Sequence, residues 1–407
     1  MQQVSLNELF SSYTNGAGIF KQKDVLSADF TPDNIPHREK QVKELAMMLA
    51  PVLRGEKPSN IFIYGKTGTG KSLCIRKVNN CLEDTARTAE RKVKTIYLNC
   101  KMRKIADTEY RLLAQLISCF GGKVPFTGLP TNTLYDQLFK AMEEKGGNVI
   151  LVLDEIDALL ERAGDGLLYN LTRINQELKG AKITVVGVSN KVSFIDNLDP
   201  RIRSSLSEEE MVFPPYNATE LKDILGERAA TAFNEGATDF AVITKCAALA
   251  AQEHGDARKA LDLLRVAAEL AEREGCMRVS ERHVDAAEEK LDRDRIIEII
   301  RAQPKQSKLV IVSILRIYGK GNKDMQTGEV YRVYEDFAAQ NGLKTLTQRR
   351  VSDLISELDI LGVINASVIS KGRYGRTRTI NIHLSDKIVH LLSRTLAGEF
   401  PEAFINL

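Results

Sequence analysis

The chain has 407 residues, 43% of them apolar and 27% charged, with 57 Lys and Arg against 54 Asp and Glu. That length exceeds one ordinary core and points to two or three domains at about 150 residues each, with enough apolar side chain for every one to bury a core. No apolar run approaches the roughly 20 residues that a bilayer-spanning helix needs, and the opening MQQVSLNELFSSYTNG lacks the basic-then-apolar layout of a secretion signal, so a cytoplasmic protein with no membrane partner is expected.

Six cysteines (Cys74, Cys81, Cys100, Cys119, Cys246, Cys276) are scattered, with no CxxC pair and no His at metal-ligand spacing, and read as reduced thiols filling small core positions. The net charge of +3 hides an asymmetry. From residue 291 onward there are 18 Lys and Arg against 13 Asp and Glu, an excess of +5; the residues before it carry 39 against 41, a balance of −2. An anionic partner is therefore expected at the C-terminal end.

In chain order, residues 59 to 216 alternate apolar runs with helical patterns: NIFIY (60 to 64), VKTIYLNC (93 to 100), NVILVLDE (148 to 155), ITVVGVSN (183 to 190) and EMVF (210 to 213). Continuous apolar strands separated by helices mark an α/β fold with a parallel sheet covered on both faces. Two helices, 109 to 120 and 132 to 144, are expected where a simple crossover needs one. After Phe213, Pro214, Pro215 and Tyr216 the strands cease and residues 219 to 290 read as helices. One of these starts at Gly255 and Asp256, with Asp256 as N-cap and Ala260, Leu261, Leu264, Ala267 and Ala268 on one face.

From 291 a further domain begins. A helix is expected around Leu309 to Ile317, and a second carries Val330, Val333, Tyr334 and Phe337 on one face. A third, capped by Thr347, turns Val351, Leu354, Ile355 and Leu358 inward until Gly362 stops it. VINASVIS and TINIHL then flank SKGRYGR, which gives a hairpin with a basic tip. Helices followed by a basic hairpin spell a winged helix.

The chemistry-bearing motif is Gly65, Lys66, Thr67, Gly68, Thr69, Gly70, Lys71 and Ser72, which fits GxxxxGK[ST] between a strand and a helix. Glycines let the backbone wrap a phosphate with its N–H groups inward, at a helix N-terminus that favours anions. Lys71 would reach the β and γ phosphates and the Ser72 hydroxyl would ligate Mg2+. The apolar run before Asp154 and Glu155 ends in two carboxylates that point to opposite sides of a strand, so Asp154 is the metal-side candidate and Glu155 the group that polarises a water. Asn190, ending the next run, is a candidate to contact the γ-phosphate or that water.

With these residues the sequence resembles a AAA+ ATPase, and more narrowly the archaeal initiators related to the origin-recognition complex. The resemblance covers nearly the whole chain. It includes Asn34 to Glu39, within which Ile35, Pro36, His37 and Arg38 are similar to the segment packed against the adenine; Leu198 to Ser205; Phe213 to Tyr216, with Tyr216 beside the nucleotide; and Gly255 to Asp262. It implies a AAA+ P-loop parallel sheet (1 to 217), a helical lid (218 to 290) and a winged-helix DNA-binding domain (291 to 407). It also implies bound ATP or ADP with Mg2+ and weak, switch-like ATP hydrolysis. Arg258 would be the lid arginine that senses the γ-phosphate. Arg201, or its neighbour Arg203, would be the finger acting on an adjacent subunit's nucleotide.

The partners implied are double-stranded origin DNA, the replicative helicase and other AAA+ initiator subunits, in a nucleoid-associated protein. Thr347, Gln348, Arg349 and Arg350 at the start of the third helix suit base edges and phosphates. Lys371, Arg373, Arg376 and Arg378 on the wing suit phosphates or a narrow minor groove. The basic stretch Lys101 to Lys104 is equally a DNA contact or a solvated loop. Winged helices also bind proteins, and the competing reading is a P-loop ATPase regulating signalling or transcription without origin specificity.

Overall fold

In a computed structural model of the chain, the described residues are 18–28, 30–102, 108–125, 128–191, 198–206, 208–370, 376–382, 384 and 386–401. The chain divides into two compact units, Met1–Ala287 and Glu288–Leu407.

The first unit begins with a 3-10 turn (Lys23–Leu26) and helix α1 (Glu39–Leu49), then β1 (Ile61–Tyr64), α2 (Lys71–Thr88) and β2 (Val93–Asn99). Helices α3 (Glu109–Cys119) and α4 (Thr131–Lys145) precede β3 (Gly147–Asp154). There follow α5 (Ile156–Ala163), α6 (Gly166–Arg173), β4 (Ala181–Ser189), α7 (Pro200–Leu206) and β5 (Glu209–Val212). The five strands form one parallel sheet in the order β2-β3-β4-β1-β5.

Burial explains why these strands read as unbroken apolar runs. Along β1, Phe62 enters one core with Leu151, Leu153 and Val185, under α3 to α7, while Ile61 and Ile63 enter the other with Ile150, Val152 and Val186, under α1 and α2. A strand buried on both faces has no solvent side to carry polar residues. Register then sets the site: Tyr64 pairs with Ser189, Asn99 with Asp154 and Asp154 with Val188, so the carboxyl ends of β1 to β4 form one edge. In open parallel sheets that edge, at the strand-order reversal, is where ligands sit.

The lid helices are α8 (Ala218–Ala232), α9 (Phe240–Gln252) and α10 (Ala257–Arg273), and α11 (Glu281–Ala302) contains the division between the units. Each of the first three starts on a side-chain cap: Asn217 with Glu220 in a reciprocal capping box, Asp239, and Asp256. The 3-10 turn packs on α8 and α10, and the Phe20 ring lies 5.3 Å from that of Phe233.

The second unit adds α12 (Lys305–Gly319), β6 (Met325–Gln326), α13 (Thr327–Gln340), α14 (Gln348–Ile360), β7 (Asn365–Ser370), β8 (Arg376–Asn381) and α15 (Asp386–Ala397). Its antiparallel sheet runs β6-β8-β7 around a core containing Leu309, Val330, Tyr334, Leu354, Leu358 and Ile380. This is the winged helix expected. Two features differ: β6 is too short to leave a periodic signal, and β8 begins at Arg376, so Arg376 and Arg378 belong to a strand rather than to the hairpin tip.

No helix among the described residues is long and apolar enough to cross a membrane.

Candidate nucleotide site and nucleic-acid interface

The loop between β1 and α2 is wrapped around its own lysine. Lys71, 5% exposed, donates from Nζ to the carbonyls of Gly65 and Lys66, each at 2.7 Å, and Thr69 Oγ1 donates to Lys66 O at 2.8 Å. Burial pushes the Lys71 amine down to about 8, helped by the Arg258 charge and opposed by Asp154. Gly68 has φ +70, and a Cβ there would stand 1.7 Å from Asp256 Oδ1. A side chain there would strain the backbone and displace the Asp256 carboxylate, because the lid helix abuts the loop: the Ala257 N–H donates to Gly68 O at 3.2 Å.

At the end of β3, Asp154 is the last residue of the strand and Glu155 lies just beyond it. Asp154 Oδ2 accepts from Ser72 Oγ at 2.9 Å and from the Tyr97 hydroxyl, and Asp154 Oδ1 accepts from the Glu155 N–H at 3.0 Å. Burial and the adjacent carboxylate push the Tyr97 phenol well above its ordinary value. Glu155 caps α5 in a left-handed conformation, φ 54, which non-glycine residues seldom adopt, and its Oε2 lies 3.4 Å from Lys101 Nζ.

These groups share one cavity of about 530 Å³. Its lining combines the polar Thr67 to Ser72, Asp154, Glu155, Asn190 and the lid residue Arg258 with the apolar Val25, Phe30, Ile35, Pro36 and Leu261 and with Tyr216. A glycine-rich loop with a buried lysine, beside apolar side chains, is a lining that a nucleotide's phosphates and base can share. The Ser72 hydroxyl and Asp154 carboxylate, 2.9 Å apart, are a hard oxygen pair of the kind Mg2+ takes.

Four expected nucleotide residues fall outside the lining: Gly65, Lys66, His37 and Arg38. His37 Nε2 instead meets Asp223 Oδ2 at 3.1 Å. Arg38 is 2% exposed behind the phosphate loop, bonded to Thr69 O and Pro214 O and stacked 3.7 Å from the Tyr216 ring centroid. Arg201 also lies outside, held by Asp199 through two hydrogen bonds of 3.2 Å, with its side chain 70% exposed.

The cavity includes residues that no sequence motif marks: Arg76, Tyr97, Asn99 and Arg228. Arg228 is buried, donates to Val25 O at 3.1 Å and stacks 4.7 Å from the Phe30 centroid. Tyr97 and Asn99 were within reach of alternation along β2, which turns both side chains away from the face carrying buried Ile96 and Leu98.

In the second unit Thr347 caps α14 by accepting from the Arg350 N–H at 3.4 Å, and Gln348, Arg349 and Arg350 are exposed on its first turn. Arg350 Nη1 lies 3.2 Å from Glu357 Oε1 along the same helix. Arg378, half-buried on β8, donates from Nη1 to Ser352 O at 2.9 Å and to the Ser356 hydroxyl, tying β8 to α14. Lys371 and Arg373 lie outside the described residues, as does the side chain of Arg376. Of the basic stretch after β2, Lys101 and Met102 are exposed, and 103 and 104 lie outside the described residues.

All six cysteines are free thiols. Contrary to the spacing argument, Cys276 and His283 do come together with Glu274, their ligand atoms within 4.8 Å. The hydrogen bonds account for the grouping: His283 Nδ1 accepts the Ser280 N–H at 3.0 Å, so in the neutral ring Nε2 carries the proton and donates to Glu274 Oε2 at 3.2 Å.

Three family profiles match the chain: an AAA domain over residues 54–193, the Cdc6 AAA+ ATPase-type lid domain over 222–289, and the CDC6 C-terminal winged helix domain over 298–391. The sequence is 51% identical over 387 residues to an ORC1-type DNA replication protein of Pyrococcus furiosus, covering 94% of this chain and 91% of that one. It is likewise 51% identical over 381 residues to ORC1-type DNA replication protein 1 of Archaeoglobus fulgidus, covering 94% and 92%. Among solved structures, the Aeropyrum pernix ORC1 protein in complex with DNA matches with a TM-score of 0.84 at 46% identity, over 95% of this chain and 99% of that one. A phosphate loop facing a lid arginine, the five-stranded parallel sheet and the winged helix thus place this chain in the archaeal ORC1-type DNA replication protein family, within the AAA+ ATPases.

Proposed function

We propose that this chain is an ATP-regulated replication initiator that binds double-stranded origin DNA and promotes loading of the replicative helicase, with slow ATP hydrolysis resetting the bound state. The observation that carries the reading is the single cavity in which the phosphate loop, the Ser72–Asp154 pair, Glu155, Asn190 and the lid arginine Arg258 converge. The likeness to the Aeropyrum ORC1 protein, which was solved with DNA, and the exposed Gln348, Arg349 and Arg350 support the DNA half.

In this reading residues 1–217 form the nucleotide-binding base, 218–290 the lid and 291–407 the DNA-binding domain. The base ring packs against Ile35, Pro36 and Tyr216. Backbone N–H groups from Thr67 to Ser72 hold the β-phosphate, and Lys71 exchanges its two carbonyl partners for phosphate oxygens. Ser72 and Asp154 would hold Mg2+, which would supply positive charge to offset that of the phosphates. Glu155 leaves Lys101 to take a proton from the attacking water, while Asn190 and Arg258 contact the γ-phosphate. Arg258 lies on the lid, so the number of phosphates bound biases how the lid closes. Arg201, exposed and outside its own chain's cavity, suits the cavity of a neighbouring AAA+ subunit, so the isolated chain turns over slowly.

The test is quantitative binding to an origin fragment and to the same fragment scrambled, with and without Mg-ATP, over a salt series. Origin preference that strengthens with ATP is expected. Equal binding to both DNAs at every salt concentration would defeat the initiator reading and favour a regulator without origin specificity.

A further inference from the structure

Arg38 is an unusual choice for a buried strut. It is 2% exposed, directly follows a left-handed His37 (φ 63), and among the described residues its hydrogen bonds go only to backbone carbonyls. These are Thr69 O from Nε at 2.9 Å, His37 O from Nη1 at 3.0 Å and Pro214 O from Nη2 at 2.5 Å. Its guanidinium lies over the Tyr216 ring, 3.7 Å from the centroid. Burying a full charge among neutral partners is costly. The charge and the three-way fork need a reason.

The chemistry of the peptide unit supplies one. Thr69 C=O and Gly70 N–H belong to one planar group, and no peptide bond in the chain is cis, so the two point in opposite directions. Gly70 at φ +91 has the conformational freedom that would let this plane turn over. By binding Thr69 O from behind, Arg38 fixes the plane and turns the Gly70 N–H toward the cavity that Gly70 lines. A charged donor on the carbonyl also polarises the amide on its far side, strengthening it as a donor to an anion.

The same guanidinium reaches the lid. Pro214 and Tyr216 belong to the linker between β5 and α8; the Tyr216 N–H donates to Gly255 O at 3.3 Å, and Gly255 precedes the Asp256 cap of the helix that carries Arg258. We propose that Arg38 is a positioning residue that aims and polarises the Gly70 amide for phosphate and, through Pro214 and Tyr216, couples phosphate occupancy to the lid helix. The proposal rests on the nucleotide reading of the cavity, but it assigns Arg38 to the phosphate loop's far side rather than to the base.

The test compares the wild type with R38M, which keeps an unbranched chain as far as the ε position and removes the donors, and R38K, which restores one charged donor without the fork. Mg-ATP affinity is measured by titration calorimetry, and hydrogen exchange is followed in residues 65–72 and 255–260 with and without saturating Mg-ATP. R38M is expected to bind roughly 10- to 100-fold more weakly. At saturation it should still protect 65–72 but lose the ATP-dependent protection of 255–260, with R38K intermediate in both. Wild-type affinity and wild-type protection of 255–260 in R38M would overturn the proposal. So would a fall in melting temperature with the lid response intact, since that is what a merely structural strut gives. If R38M does not fold, the same criteria apply to R38K. Failure of the wild type to bind Mg-ATP would instead overturn the nucleotide reading, with Lys71→Ala as the non-binding reference.

Discussion

Nucleotide binding is expected to take up a proton at Lys71. Burial holds this amine at about 8 in the free chain. About a tenth of molecules then carry it neutral at pH 7, about half at pH 8 and about nine-tenths at pH 9. Phosphate oxygens beside Nζ would restore the charged form, so uptake on binding should be about 0.1, 0.5 and 0.9 protons at those three pH values. Mg-ATP affinity should accordingly fall above pH 8, approaching tenfold per pH unit. Calorimetry in two buffers of different ionisation enthalpy, at each pH, reads the proton number directly. Lys71→Arg, which does not titrate in this range, should abolish the buffer dependence. Wild-type binding heats that are independent of buffer at pH 8 and 9 would refute the reasoning. The sign for stability follows from the same shift: with its pKa below the ordinary 10.5, the folded free chain binds fewer protons than the unfolded one between about pH 8 and 10.5. This group's contribution to stability therefore improves as pH rises through that window, and bound nucleotide removes the effect.

Other outcomes are open to direct measurement. Glu155→Gln should keep Mg-ATP affinity and lower single-turnover hydrolysis by at least about 100-fold; intact turnover would put the base elsewhere. Gly255→Ala, at φ +67 with a Cβ 2.2 Å from Tyr216 O, should cost more than about 2 kcal/mol in urea unfolding. Gly275→Ala, at φ +74 in open space, should cost about 1 kcal/mol, and equal losses would show that the close approach of Gly255 to Tyr216 does not matter. Arg349→Ala with Arg350→Ala should weaken DNA binding and lower the salt slope by about 0.9 for each phosphate no longer neutralised. Arg378→Ala should leave that slope alone and destabilise the winged helix by about 1 to 2 kcal/mol, because its hydrogen bonds to α14 are gone; a shallower slope in Arg378→Ala would return that residue to the DNA.

What was legible in the sequence follows from local physics. Strands β1, β3 and β4 announce themselves because sheet burial on both faces leaves only apolar side chains, and the phosphate loop because its glycines, lysine and serine act at fixed spacing along a few residues of backbone. Caps such as Asp256 and Thr347 bond N–H groups three residues away or nearer, so they too are written locally. Three-dimensional packing decided the rest. Whether Arg38 faced the base or the back of the phosphate loop depended on where Pro214 and Tyr216 lay, more than 170 residues further along the chain. Arg378 has the sequence character of a wing cation, but α14 brings Ser352 and Ser356 beneath it. Arg228 and Tyr97 joined the cavity only because the lid and β2 carry them to its walls. The sequence by itself determined which residues can hold a phosphate, since that ability resides in a short stretch of backbone; only the tertiary structure decided which arginines face a ligand and which brace the fold, since a guanidinium on a long side chain takes whichever acceptors the packing supplies.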